Sequence, residues 1–311
     1  MKATSPKPSV VIPLLLTTLI LGCFFSTTLR AADSKTDSKI APGQTLKKLA
    51  GGFEFTEGPT CDADGNVFFT DQPNDRIIEW SIDGKQSTFM QTCGRANGLA
   101  FDQKGNLWVC ADEFNELWRI DRGNKVTVIV KDYKGKLLNG PNDIWTCPGG
   151  GLYFTDPYYK RPYWKRGPKE MPECVYYLGP DLKKLDRVID DLKQPNGIIG
   201  TPDGKVLYVA DIGAHKTFRY DIQPDGSLKN KQLFCEMGSD GMTIDNEGNI
   251  YLTGKGVTVF DVSGKQIDQI DVPEPWTANV CFGGRSRDTL FITASKGLYA
   301  LKTEVKGVDS Q

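Results

Sequence analysis

Six short polar motifs along the 311-residue chain carry oxygen-bearing side chains suited to binding a hard cation: Glu57-Gly58, Asn97-Gly98, Asn142-Asp143, Asn196-Gly197, Asp240-Gly241 and Asn279. Taken singly, each is ordinary punctuation. Asn-Gly, Asn-Asp and Asp-Gly tolerate positive φ and hydrogen-bond their own backbone, so they mark turns. Brought together, they would form a ring of carboxylates and amides. Calcium takes six to eight such oxygens, and the lack of His or Cys at these positions argues against zinc. The chain has one histidine, His215, so no mechanism needing several imidazoles is available. A serine triad is excluded on the same ground, because His215 accompanies no Gly-x-Ser-x-Gly motif.

What would bring the six together is a repeat. The motifs begin at Glu57, Asn97, Asn142, Asn196, Asp240 and Asn279, at intervals of 40, 45, 54, 44 and 39 residues. That is the length of one four-stranded propeller blade. Each copy reads as a short strand, a Gly-bearing turn (DADG, DQKG, PGGG, TPDG, DNEG), and an almost wholly apolar strand (VFFT, LWVC, LYFT, VLYV, IYLT, LFIT). Such apolar runs suit strands buried on both faces. A third strand follows in every copy and a fourth in most. The sixth copy runs out of chain after its third strand, and "QTLKKLAGG", ahead of the first copy, is the obvious donor of the fourth. The expected fold is therefore all-β, a six-bladed β-propeller whose ring is closed by the N-terminal strand, which removes exposed sheet edges. With the first strand of each blade innermost, all six motifs converge on the axis at one end, and the Gly-bearing turns lie at the other.

Other residues are read against that frame. The Asp that closes the second strand (Asp71, Asp112, Asp156, Asp211) lies farther out and is expected in turns or behind the ligands. His215 is expected at the rim. An insert after Asp156, "PYYKRPYWKRGPKEMPE" (157–173), leaves from the ligand-bearing face and is expected to act as a lid over the channel mouth. It is basic and aromatic, but Lys plus Arg (38) balance Asp plus Glu (39), which argues against nucleic acid and anionic membranes as partners. The domain plan is a secretory signal segment at 1–32, a flexible mature N-terminus at 33–42, the propeller at 43–302 and a polar tail at 303–311. The signal rests on Lys2 and Lys7, the apolar stretch from Val10 to Phe25 and the small residues after it. Export to the periplasm or medium is expected, with lipid anchoring at Cys23 ("ILGC") as the alternative to cleavage near Ala31 or Ala32. The seven remaining cysteines show no CxxC spacing, and an odd number leaves at least one thiol outside any disulfide.

Between Gln44 and Leu301 the chain resembles the regucalcin/gluconolactonase (SMP-30-like) family of six-bladed lactonases. The resemblance rests on Glu57-Gly58-Pro59, Pro141-Asn142-Asp143, Phe154-Thr155-Asp156-Pro157, Pro195-Asn196-Gly197 and Ser239-Asp240-Gly241-Met242, in that order and period. It implies a divalent cation held by Glu57, Asn196 and Asp240, with Asn142 near metal or substrate and Asn97 a further substrate contact. Calcium is expected first, with magnesium, manganese and zinc left open. It implies Asp240 as the proton-transfer residue, with Asp143 in reserve, and Arg95 as the nearest counterpart of an arginine that contacts sugar lactones, although its spacing differs. The implied activity is hydrolysis of a small-molecule lactone such as gluconolactone, by a monomer or weak dimer. Two alternatives stay open: an ester or phosphoester hydrolase on the same site, and a binding scaffold with a structural calcium.

Overall fold

The computed structural model describes residues 1–5 and 38–308. Apart from its first five residues, the expected signal segment with Cys23 lies outside them, as do residues 309–311 of the expected tail. The described strands form six four-stranded antiparallel sheets. Sheet one comprises β2 (Thr56–Cys61), β3 (Val67–Asp71), β4 (Arg76–Trp80) and β5 (Gln86–Gln91). Sheet two comprises β6 (Leu99–Phe101), β7 (Leu107–Ala111), β8 (Glu116–Ile120) and β9 (Val126–Val130), and sheet three β10 (Ile144–Thr146), β11 (Leu152–Asp156), β12 (Cys174–Leu178) and β13 (Leu185–Ile189). Sheet four comprises β14 (Pro195–Gly200), β15 (Val206–Asp211), β16 (Lys216–Ile222) and β17 (Leu228–Cys235), and sheet five β18 (Met242–Ile244), β19 (Ile250–Gly254), β20 (Gly256–Phe260) and β21 (Gln266–Ile270). In sheet six β22 (Thr277–Gly283), β23 (Thr289–Ala294) and β24 (Gly297–Lys302) are joined by β1 (Lys47–Gly51), which pairs antiparallel with β24. This is the all-β, six-bladed propeller that the repeat implies.

The second strands are apolar because they are buried on both faces: every residue of β3, β7, β11 and β19 is buried. The outermost strands face solvent, as the pattern of β5 shows. The core is divided into six clusters, each between two neighbouring blades. Phe53, Phe69, Cys281, Phe291 and Leu298 join blades one and six, with Leu49 of β1 packed against them. Burial of apolar surface between blades is thus the force that assembles the disc.

The turns between first and second strands of blades one, two and five are built alike. Asp62 Oδ1 accepts from the amides of Asp64 (3.0 Å) and Asn66 (2.8 Å), Asn66 Nδ2 donates to Asp62 Oδ2 (2.8 Å), and Gly65 takes the positive φ (+97°) the turn demands. Asp102 with Asn106, and Asp245 with Asn249, repeat the pattern. These carboxylates serve the turns.

Two stretches differ from expectation. Ser38 and Lys39, within the segment expected to be flexible, bond Asp268, and Ile40 bridges to Thr303. The stretch expected to be a polar tail is packed from Thr303 to Val308: Thr303 and Val305 are buried, and Gly307 bridges to Asp245. Its polar composition hides one buried apolar anchor, Val305. Among the cysteines, Cys93, Cys110, Cys174, Cys235 and Cys281 are buried free thiols.

Truncation through Gly51 should leave β24 as an open edge and strip Leu49 from the cluster between blades one and six. At about 2–4 °C per kcal/mol for a domain of this size, a loss of several kcal/mol should lower Tm by roughly 10 °C. Calorimetry of the truncated and complete chains checks this, and the truncated form should also aggregate sooner.

Candidate metal-binding and catalytic site

The six motif residues lie at the inner ends of the blades, placed there by local irregularities. In blades one, four and six the pairing of first and second strands shifts at the motif, between Glu57 and Thr60, Pro195 and Ile198, and Thr277 and Asn279. Bulges of this kind re-aim a side chain. In blades two, three and five the innermost strand is only three residues long, and Asn97, Asn142 and Asp240 precede it by two positions.

The glycine that follows the motif residue in blades one, two, four and five has a structural reason. A Cβ on Gly58 would lie 2.2 Å from the Asn97 carbonyl, on Gly98 2.4 Å from the Asn142 carbonyl, and on Gly197 2.9 Å from the Asp240 carbonyl. On Gly241 it would meet the Asn279 side chain at 1.9 Å. Each glycine therefore admits the motif of the next blade. Gly98 N also donates to Asn142 O across that junction, at 2.6 Å. Blade three carries Asp143 where these blades have glycine, so a carboxylate stands in the seam toward blade four. Its Oδ1 accepts from Ile144 N (3.0 Å), and Asn279 Nδ2 reaches its Oδ2 at 3.5 Å.

The seams draw the predicted residues together. Asn196 Nδ2 donates to Asp240 Oδ1 (2.7 Å), and Glu57 Oε2 accepts from Gly58 N (2.8 Å). Glu57, Asn97, Asn142, Asp143 and Asn196 are buried. Burial and the neighbouring charges of Asp240 and Asp143 push the Glu57 carboxyl well above its usual range. Burial raises Asp240 to about 6, against hydrogen bonds from Trp276 and Asn196 and the positive charge of Arg161. Burial likewise raises Asp143 to about 7. Three acids are crowded together, with Glu57 and Asp143 shielded from water and Asp240 partly so.

A cation fits this crowding. The Oδ1 atoms of Asn97 and Asn196 are buried without a hydrogen-bond donor, and buried acceptors are seldom left so. With the carboxylates of Glu57 and Asp240 they make an oxygen-only donor set. No group of three His, Cys, Asp or Glu side chains with metal-site geometry occurs among the described residues. The site is instead mixed, half carboxylate and half amide.

The Asp residues that close the second strands support the ring from behind. Asp71 accepts from the amides of Glu54 (3.0 Å) and Phe55 (3.3 Å), Asp156 from Asn139 (2.9 Å) and Gly140 (2.8 Å), and Asp211 from Lys193 and Gln194 (both 2.9 Å). Each clamps the loop entering the first strand of its own blade. Asp112 departs from this: its carboxylate takes the Tyr163 hydroxyl and pairs with Arg161 at 3.2 Å, and its carbonyl accepts from Trp164 Nε1 at 2.7 Å. The insert is docked there. Arg166 donates to the carbonyls of Leu138 and Asn139, and Tyr159 reaches the axis, its hydroxyl accepting from Asn196 Nδ2 at 2.6 Å. His215 is an exposed turn residue with φ +56°.

Arg95 has different contacts from those expected of a substrate arginine. It donates to the Pro73 carbonyl, stands 3.7 Å from Glu113, and lies 4.8 Å over the Tyr163 ring, so it underpins the insert. The side chains that do border the ring of motif residues are Tyr159, Arg161 and Trp276, and no motif marks them. Trp276 Nε1 donates to Asp240 Oδ2 at 2.5 Å. The available signals were a tryptophan three residues before Asn279 and the aromatic-basic composition of the insert. At the opposite end, the central channel opens as a cavity of about 1010 Å³ whose lining runs from turn residues Asp62 and Asp102 up to Asp143 and Asn279.

Comparison with known proteins agrees with the geometry. The model of the SMP-30/Gluconolactonase/LRE-like region matches residues 55–296. A gluconolactonase from Zymomonas mobilis is 28% identical over 303 residues, covering 87% of this chain and 85% of that protein. The solved structure of a gluconolactonase from Xanthomonas campestris superposes with a TM-score of 0.80 at 28% identity, over 85% of this chain and 91% of that one. A calcium-binding regucalcin from Agrobacterium tumefaciens gives 0.73 at 21% identity, over 85% and 96% of the two chains, a likeness of fold.

Docking of the insert depends on Gly140, whose φ is +152° and whose Cβ, if present, would stand 2.7 Å from the Trp164 ring and 2.8 Å from Asp112 Oδ1. Gly140→Ala should displace the insert while leaving the six blades folded. The expected result is at least tenfold faster tryptic cleavage at Lys160, Lys165 and Arg166, with far-ultraviolet circular dichroism unchanged.

Proposed function

The chain belongs to the SMP-30/gluconolactonase/LRE-like family, and from that premise we propose that it is an exported, metal-dependent hydrolase that opens gluconolactone or a related sugar lactone. One observation carries the reading: Glu57 and Asp240 are crowded at the axis beside the donor-less Oδ1 atoms of Asn97 and Asn196. The gluconolactonases of Zymomonas mobilis and Xanthomonas campestris, similar over most of their lengths, support the substrate class.

Glu57, Asn196 and Asp240 would hold the cation, with the donor-less Oδ1 of Asn97 as a further ligand and Asn142 beside metal or substrate. Calcium suits this donor set best. A cation bound there supplies a Lewis acid for the lactone carbonyl. The chain contributes the remainder. Asp240 is the base that takes the proton of the attacking water and returns it to the ring oxygen as the ester bond breaks. Its two oxygens are fixed by the indole of Trp276 and the amide of Asn196, so its plane is set before substrate arrives. Asp143 is the second candidate for that proton, one position along from Asn142 and held by Ile144 N. Tyr159, packed over the ring by the insert, restricts water to the reacting side.

The test is hydrolysis of glucono-δ-lactone by the mature chain, corrected for spontaneous opening, after chelation and then with Ca²⁺, Mg²⁺, Mn²⁺ or Zn²⁺ restored. Activity should vanish with chelator and return with calcium. Asp240→Asn should lower kcat/KM by about 10²- to 10⁴-fold, the usual reach of a positioned base, and Glu57→Gln should abolish calcium binding by calorimetry. Calcium binding with no turnover of any lactone would move the scaffold reading ahead.

A further inference from the structure

The insert brings a guanidinium to the site mouth that the ligand ring does not use. Arg161 lies 5.0 Å over the ring of Tyr159, whose hydroxyl is bonded to Asn196. Its Nε faces Asp112 Oδ2 at 3.2 Å. Among the described residues no hydrogen bond is made by its two terminal nitrogens, and the side chain is 24% exposed. The pairing with Asp112 fixes where those nitrogens point. A guanidinium has only donors, and here it is held against a buried carboxylate. It offers a fork of N–H groups oriented by that pairing.

Trp276 stands at the same mouth. It is tethered through Nε1 to Asp240 Oδ2, yet remains 38% exposed. An indole fixed at one edge and open elsewhere presents an apolar surface of defined orientation. Together these residues offer a ligand beside Asp240 hydrogen-bond donors from the insert and an aromatic surface from the loop before β22. Alkyl chains would leave the guanidinium donors unanswered, and an anionic group would face the carboxylates of Asp112 and Asp240 beside the guanidinium. A ring bearing several neutral hydroxyls satisfies both.

We propose that Arg161 is a specificity-determining residue that donates to ring hydroxyls of the lactone, so that the site selects polyhydroxylated over unsubstituted lactones. This rests on the lactonase reading above. Arg161 assists no bond-breaking step; it holds the hydroxylated edge of the substrate while the ester reacts beside Asp240. Tyr159 and Asp112 are positioning residues for it, one stacked beneath the guanidinium and the other paired with it at 3.2 Å.

The experiment compares kcat/KM for glucono-δ-lactone with that for δ-valerolactone, the same six-membered ester without hydroxyls, in calcium-loaded wild type, Arg161→Met and Arg161→Lys. Wild type should strongly prefer the hydroxylated lactone. In Arg161→Met the ratio of the two kcat/KM values should fall by about 10- to 100-fold, the span expected for hydrogen bonds from a charged donor, and most of the change should lie in KM. Arg161→Lys keeps the charge beside Asp112 and should fall between, because an ammonium cannot reproduce the planar fork. Tryptic protection of the insert and calcium affinity, measured alongside, show whether either variant has disturbed docking or the ligand ring. An equal loss toward both lactones, with the insert still protected, overturns the inference and leaves the lactonase standing, as does a wild type that turns over δ-valerolactone as readily as the sugar lactone. A wild type that opens neither lactone removes the lactonase reading itself, and this inference with it.

Discussion

Everything at the axis depends on one electrostatic conflict, the burial of Glu57 beside Asp240. Two like charges out of water repel each other and lose their hydration together. The carboxyls of both are held above their ordinary range, with burial the larger cause. Protein hydrogen bonds relieve the conflict only in part: Gly58 N for Glu57, and Asn196 with Trp276 for Asp240. A fold tolerates such an arrangement when a ligand of opposite charge resolves it. The donor-less amide oxygens of Asn97 and Asn196 point the same way, since no proton donor fills the place where a cation would. The site is thus strained in its charge before any substrate enters.

What forces the conflict is the packing of blades. The six apolar clusters between neighbouring blades close the disc, and closure presses the inner strand ends together. Gly58, Gly98, Gly197 and Gly241 let that approach reach backbone contact, because each stands where a side chain would strike the next blade. The apolar area between blades and the carboxylate crowding at the axis are therefore coupled: the first supplies the free energy that the second consumes. The Asp clamps at Asp71, Asp156 and Asp211 add precision by tying the entry loop of each first strand to the end of the second.

Much of this was legible in the sequence, for a physical reason. A repeat of 40-odd residues imposes one local structure six times, so each weak turn signal is reinforced by five others. The number of blades, the buried second strands, the strand that joins the sixth sheet and the axial placement of Glu57, Asn142, Asn196 and Asp240 all follow from that period. Tyr159, Arg161 and Trp276 were not legible, because they lie in loops between the repeated strands, where no periodicity constrains the path. Arg95 shows the same limit from the other side. It is adjacent to Asn97 in sequence, but its guanidinium is drawn to the Pro73 carbonyl and the Tyr163 ring. Val305 was hidden for a third reason, since one buried apolar residue among polar neighbours leaves no pattern.

The asymmetry of the site arises where the repeats depart from one another. Six equivalent blades would place six equivalent groups around the axis, and such a ring could hold an ion but could not orient a substrate. Blade three breaks the symmetry twice. It substitutes Asp143 for the interlocking glycine, adding a third acid to one side of the ring, and it carries the 157–173 insert. Blade two provides the answering change: Asp112 gives up the clamp made by its counterparts and spends its carboxylate on Tyr163 and Arg161. The two departures need each other. Without the freed Asp112 the insert would have no charged anchor, and without the insert Asp112 would be a buried carboxylate with neither clamp nor counterion. Gly140 is the third part, because only a glycine there leaves room for Trp164 against Asp112. A propeller thus becomes asymmetric by releasing one structural carboxylate from the repeat and using it to bring a guanidinium, through a docked loop, to the edge of the carboxylate and amide ring that the remaining symmetry had already built.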